Sequence, residues 1–255
     1  MSLAVILAWA TIALVWRWTG IDPYGDTGLA LAPPGPTHWF GTDHIGRDVF
    51  ARVLAGAESV LAVAPAATMI AVIVGTVLGL FAGYLRGWAD SVAMRALDVM
   101  FVAPAIVVLL VAITAFGRSA MVVIIAVGLI LSPMIARVVR AQALAESGKE
   151  YVLSARLQGE GTARILTREV LPNVWPHVLV QATLCLGVAV FVSTSLSFLG
   201  LMAAPPSPDW GLAVSENRAY VQGAWWTVAF PCLAIVSLVV ATTLVADDLD
   251  EVVRR

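Results

Sequence analysis

Six stretches of this sequence are apolar for long enough to decide the fold class before any motif is read. They are Leu3–Trp18, Val60–Leu85, Val99–Phe116, Ala120–Arg137, His177–Met202 and Trp225–Ala246. A helix needs about 20 mostly apolar residues to cross roughly 30 Å of hydrocarbon. Within lipid every backbone polar group must be paired inside the segment, so runs of this length are read as spanning helices. The rest of the composition agrees: 60% of the residues are hydrophobic and only 13% charged, against roughly 25% charged in an ordinary soluble domain. A soluble fold of 255 residues cannot hide that much apolar surface. The chain therefore reads as an all-α, polytopic membrane protein of about six transmembrane helices.

The first run is the short one. Its charge-free part, Met1 to Trp16, rises about 24 Å as a helix. It has no basic start and no small-residue cleavage site before Trp16-Arg17-Trp18, which favours a retained helix over a signal peptide. Its cytoplasmic lead is expected to be missing or mis-started in this sequence. Trp9, Trp16 and Trp18 suit an interfacial anchor. With the amino terminus inside, the inner segments carry Arg86, Arg95, Arg137, Arg140, Lys149, Arg156, Arg164, Arg168, Arg254 and Arg255. The outer ones carry Arg17, Arg47, Arg52, Arg118 and Arg218. Ten against five places both termini in the cytoplasm, although Arg17 votes the other way.

This orientation divides the chain into residues 1–59, a first span with an external loop; 60–246, the transmembrane core with an inner loop at 140–173; and 247–255, an inner tail. Neither an internal repeat nor a low-complexity run stands out.

Several chemistries are excluded. There is no GxxxxGK[ST] loop, and Lys149 precedes Glu150, so nothing here cradles the phosphates of ATP. His38, His44 and His177 are scattered without metal-ligand spacing. Cys185 and Cys232 sit in apolar runs as small hydrophobes. A net charge of −2 gives no attraction to nucleic acid. The five long spans hold no Asp, Glu, Lys or His at mid-bilayer, where proton- and ion-coupled carriers usually place one; this weakens a carrier reading without removing it, since backbone carbonyls at broken helices can bind sodium.

The inner loop carries the most informative pattern. Glu150-Tyr-Val-Leu-Ser-Ala-Arg-Leu-Gln-Gly159 is followed by Thr162-Ala-Arg-Ile-Leu-Thr-Arg-Glu-Val-Leu-Pro-Asn173. Tyr151–Gln158 predicts a short helix, and Gly159 and Gly161 permit a sharp turn. Thr162 is placed to cap a second helix, which Pro172 ends or redirects. Apolar Val152, Leu153 and Leu157 interleave with Arg156, a surface suited to a groove on a partner; the alternative is a solvated basic loop that only fixes topology. Two outer segments are equally distinctive. In His38-Trp-Phe-Gly-Thr-Asp-His-Ile-Gly-Arg-Asp48, continuing to Arg52, Asp43 is placed to cap a short interfacial helix. Asp43–Arg47 and Asp48–Arg52 then form i,i+4 pairs, with Ile45, Val49 and Val53 on one face. After the fifth span come Ser195-Leu-Ser-Phe-Leu-Gly-Leu201 and Pro205-Pro-Ser-Pro-Asp-Trp-Gly211.

These three segments resemble, in order, the cytoplasmic signature loop, the "GTDxxGRD" segment and the "LSFLGL…PPxPxWG" segment of binding-protein-dependent ABC importer permeases of the dipeptide and oligopeptide branch. Leu153, Ser154 and Ala155 replace the literal Glu-Ala-Ala of the signature loop. The ending Ala246-Asp-Asp-Leu-Asp-Glu251 departs from the family's basic one.

The resemblance implies a MetI-like, type I importer permease that is not itself an enzyme and holds no cofactor. Its partners would be a second, related permease, two cytoplasmic ATPases using ATP and Mg, and an external solute-binding protein delivering peptide. Tyr151, Ala155, Arg156, Gly159, Arg164, Leu171 and Pro172 would couple to the ATPases. Gly41, Thr42, Asp43, Gly46, Arg47 and Asp48 form the external motif. Ser193, Thr194, Ser195 and Ser197 either line the pathway or bond their own helix. Pro65, Pro104, Pro133 and Pro231 either hinge their spans or simply pack. Nickel chelates, haem and glycosides are alternative solutes of sister systems. A stand-alone channel or carrier, and a non-conducting assembly subunit, are alternatives of another class.

Overall fold

The computed structural model describes residues 2–85, 87–102 and 104–254; Arg86 and Arg255 of the charge balance lie outside the described residues. Ten α-helices follow one another: α1 (Ser2–Val15), α2 (Val49–Leu85), α3 (Trp88–Val102), α4 (Ala105–Phe116), α5 (Ala120–Glu146), α6 (Glu150–Leu157), α7 (Thr162–Ile165), α8 (Leu171–Phe198), α9 (Trp210–Asn217) and α10 (Trp226–Arg254). Among the described residues, four helical stretches are long and apolar enough to cross a membrane: α2, α5, the continuous rod Thr162–Phe198, and α10. Ser2–Trp18 and Ala105–Phe116 are shorter apolar helices.

The expected third span, Val99–Phe116, is divided. Pro104 stands at its middle in extended conformation, at ψ 119°, and serves as N-cap of α4. At that ψ the backbone leaves helical geometry, unlike at Pro65, Pro133, Pro176 and Pro231, which lie inside continuous helices, so the helix is interrupted here. The 12 residues of α4 rise only about 18 Å.

The core is built on α2 packed against α5. Gly75, Gly79 and Gly83 recur every fourth residue on α2, where a side chain would meet the Ser132, Ala136 and Arg140 carbonyls of α5 at 2.6–2.7 Å. Gly128 of α5 answers from the other side, against Ala67 and Ile70. Small residues at this spacing let two helix backbones approach closely, the usual route to tight packing where lipid offers no hydrophobic drive. Helix α8 packs on α2 and α5 and on α10, while α1 lies against α2 and α10. Pro65, Pro133, Pro176 and Pro231 all sit inside helices.

Helix α2 outruns the hydrocarbon. Its 37 residues rise about 55 Å, and the first ten or so project beyond the apolar part that begins at Val60. One end of the bundle therefore gathers residues 16–59, 116–120 and 199–226, and the opposite end gathers 84–85, 87–90 and 140–173.

Candidate functional site

At the inner-loop end, the helix–turn–helix forms as α6 and α7, joined through Gly159 at φ +79°, a left-handed conformation that glycine adopts without penalty. Gly161, not Thr162, occupies the N-cap of α7, and no side chain caps it. Pro172 neither ends nor redirects the second helix. A five-residue π-helical turn, Leu166–Val170, precedes it, and the Leu171 N–H reaches back to the Leu166 carbonyl. The wider turn absorbs the donor that Pro172 lacks, so α8 continues from it without a break.

The loop is held to the spans by named contacts. Val152 and Ala155 of α6 are buried. Arg156 donates from Nε to Tyr84 Oη at 3.1 Å, with its guanidinium 4.3 Å from the ring centre. Tyr84 is the penultimate residue of α2, so this one side chain ties α6 to that rod. Tyr151 donates to Glu146 at the end of α5 and accepts from Asn173 Nδ2 of α8 at 3.2 Å. Burial and the neighbouring Glu146 carboxylate push the Tyr151 phenol up to about 12. Arg164 pairs with Glu160 at 3.3 Å, and Leu171 packs on the core while Pro172 is exposed. What remains outside is an apolar face: Leu153 is exposed and Leu157 is 89% exposed.

At the other end, the two outer segments form one unit. Residues 41–48 are not helical. They make a turn closed by bridges Thr42–Asp48 and Asp26–Arg47, and the helix starts only at Val49. Gly41 lies at φ +72°, under the Trp226 indole and the Ala32 carbonyl, and Gly46 at φ +84°. Asp43 uses Oδ1 on the N–H groups of Ile45 and Arg47, which is turn rather than helix-cap chemistry. Its Oδ2 takes Arg47 Nε at 2.7 Å. The expected Asp48–Arg52 pair does not form: Asp48 binds His38 at 2.8 Å, and Arg52 turns to the α8–α9 loop. Val49 and Val53 are buried rather than interfacial.

Arg47 and Arg52, each 3% exposed, converge on Glu216 of α9 at 2.9 and 3.4 Å. Arg52 also donates to the Pro206 and Ser207 carbonyls. His44 meets Asn217, and Trp226 Nε1 donates to the Thr42 carbonyl. Trp210, fully buried, donates to the Val53 carbonyl and lies against Gly56. Thr42 itself bonds Leu29 and Ala32. Asp209 caps α9 through the Gly211 and Leu212 N–H groups.

The hydroxyls of Ser193, Thr194 and Ser195 bond carbonyls of their own helix. Ser193, Thr194 and Ser197 are buried, and Ser195 is half-buried; Thr194 and Ser195 border an apolar groove of about 340 Å³ with Phe191, Phe198 and Cys232. Tyr84, Glu216 and Asn217 were not among the sequence candidates, and Trp210 fell within the distinctive Pro205–Gly211 segment without being assigned a role. An arginine at position 52, just ahead of an apolar run, was the one available signal that an acidic partner such as Glu216 lay elsewhere.

The family described as "Binding-protein-dependent transport system inner membrane component" matches residues 75–255, which include the whole inner loop and its α2 anchor. The chain belongs to this family.

Over 98% of its length this permease is 35% identical to the "Dipeptide transport system permease protein DppC" of Alkalihalophilus pseudofirmus, covering 83% of that protein. It is 35% identical over 96% of its length to the "Probable D,D-dipeptide transport system permease protein DdpC" of Escherichia coli K12, again covering 83% of it. It is 37% identical over 98% to the "Glutathione transport system permease protein GsiD" of Pectobacterium atrosepticum, covering 82%. The permease is thus a multi-pass membrane component of an ABC importer.

Proposed function

We propose that this chain is one of two permease subunits in a bacterial inner-membrane importer of di- and oligopeptides, and that α6 and its turn pass ATPase movement into the spans. The chain performs no catalysis itself; ATP and Mg act in two cytoplasmic partner chains. The second half of the pathway belongs to a related permease, and an external solute-binding protein delivers peptide to the outer cap. Both termini and the inner loop face the cytoplasm. Dipeptide, D,D-dipeptide and glutathione systems among the relatives support a peptide solute. Of the serine–threonine cluster, Ser195, half-buried beside the groove on α8, is the member we assign to contact with that solute.

The observation that carries the coupling assignment is the division of α6 into two faces. Val152, Ala155 and the Arg156–Tyr84 contact fix it to the spans, while Leu153 and Leu157 stay exposed. An exposed apolar stripe on a short, anchored helix fits a partner groove.

The test is affinity capture of the tagged chain from native membranes. The wild type should bring a second permease and two ATPases. Leu157→Asp should lose the ATPases and keep the second permease, because Leu157 supports nothing inside the chain. Recovery of the chain alone, under detergent conditions that hold a known ABC importer together, overturns the reading.

A further inference from the structure

Five aromatic rings from three separate segments interlock at the outer end. Phe40 stacks face to face on Phe230, one turn into α10, with ring centres 3.9 Å apart and planes within 7°. Phe50, in the first turn of α2, meets Phe40 edge-on at 5.0 Å and Trp39 at 5.1 Å. Trp225 lies 6.1 Å from Phe230. The three phenylalanines are half-buried, but the two indoles are turned out: Trp39 is 68% exposed and Trp225 54%. The adjacent Trp226 is buried and donates to the Thr42 carbonyl, so of two consecutive tryptophans one faces in and one faces out.

Helix α10 measures the level at which this cluster stands. From Trp226, its first residue, to Asp247, its first charge, the helix rises about 32 Å. That is close to the roughly 30 Å of hydrocarbon in a bilayer. Leu233, Val236, Val240 and Leu244 are exposed along this length, at a spacing that keeps them on one side of the helix. An exposed apolar stripe on a spanning helix meets acyl chains. Trp225 stands just past the end of that stripe, where acyl chains give way to headgroups. The Phe40–Phe230 stack brings the outer segment, with Trp39, to the same level. An indole combines a large apolar face with one N–H donor, and tryptophan is enriched in this boundary layer for that reason.

We propose that Trp39 and Trp225 form an anchor seated in the headgroup layer at this end of the bundle, so that phospholipid, and not a protein partner, covers the patch. The two indoles come from elements far apart in sequence, and the phenylalanine stack between them joins their movements. An anchor of this kind holds the Asp43–Arg47 turn, which begins two residues after Trp39, at a fixed height above the membrane. The inference goes beyond the transport reading. It rests only on insertion of the chain in a membrane, so neither the solute nor the coupling assignment bears on it.

The test is fluorescence quenching of the permease complex in nanodiscs, with phospholipids brominated either beside the headgroup or at the chain end, and with acrylamide in the water. The chain has nine tryptophans, so each indole is isolated as the emission lost on Trp39→Phe or Trp225→Phe. Both variants keep a ring against Phe50 or Phe230 and should fold as the wild type does. The lost emission should be blue-shifted from that of an indole in water. It should be quenched more by bromine beside the headgroup than by bromine at the chain end, and little by acrylamide. Adding a solute-binding protein should leave the bromine quenching unchanged. Emission quenched by acrylamide alone places the indoles in water, and emission untouched by any quencher places them under a protein; either result overturns the proposal. So does stronger quenching from the chain end, or loss of bromine quenching when the solute-binding protein is added.

Discussion

At the scale of single residues, the side chains that matter most are those with two kinds of contact. Arg156 both donates to and stacks on Tyr84. Such contacts are worth about 0.5–2 kcal/mol depending on how dry they are. Arg156→Lys keeps the charge but not the planar stack. It should therefore give a purified permease of nearly wild-type melting temperature whose ATPase is no longer stimulated by solute.

Asp209 supports a second prediction with a sign. Burial pushes its carboxyl above the usual carboxylate range, outweighing the Leu212 N–H, the Ser197 hydroxyl, the Gly211 N–H and the Arg52 charge. A carboxyl raised in the fold contributes stability below its unfolded value, and that contribution is lost as pH rises through the folded one. Above that window the ionised carboxylate is a cost. Asp209→Asn should melt no lower than wild type at neutral pH, and its advantage should vanish in acid. If Asp209 served only as a cap, Asn would melt like the wild type at every pH, because it caps equally well.

At the scale of elements, the α2–α5 seam is the strongest packing device. Gly79→Leu places a side chain against the Ala136 carbonyl and Val139. Overpacking of this kind costs about 1–3 kcal/mol or separates the helices. The expected result is a large fall in melting temperature and in membrane yield, whereas Gly148→Ala, which meets only the Ala145 carbonyl at 3.7 Å, should change neither.

This seam also shows what hydropathy conveys and what it omits. Apolar length located α2, α5, α8 and α10 because lipid-facing and buried positions are both apolar. It said nothing of which faces meet; the four-residue glycine repeat held that information. Length also merged two helices across Pro104, where the backbone turns out of helical geometry inside an apolar run. The outer segment misled differently. Its i,i+4 acid–base spacing suited a helix, but left-handed Gly41 and Gly46 set a turn that carries the same Asp43–Arg47 pair. Glu216 was invisible as a partner because its contacts are more than 160 positions distant in sequence.

At the scale of the whole molecule, α2 joins the two ends. It carries Arg52 in the outer cluster and Tyr84 beneath α6, the proposed coupling helix. A rod with fixed contacts at both ends can transmit a displacement only if both hold. The outer contact depends on Glu216, the acid that two buried arginines share. Removing one partner of a buried ion pair leaves charge uncompensated and costs about 3–5 kcal/mol. Glu216→Gln keeps shape and a hydrogen-bond acceptor, so the folded permease should persist at reduced melting temperature. The inner loop is unaltered in that variant, and ATPase capture should match wild type. What should fall is the link between the ends: solute-binding protein should no longer raise ATP hydrolysis in the reconstituted complex, while basal hydrolysis continues. A rescue follows from the same geometry. Arg47 is also paired with Asp43, whereas Arg52 reaches Asp43 only at 3.8 Å, so Arg52→Met combined with Glu216→Gln removes the orphaned charge. That double variant should recover melting temperature without recovering stimulation. If stimulation returns with stability, α2 is not the connecting rod and Glu216 serves packing alone.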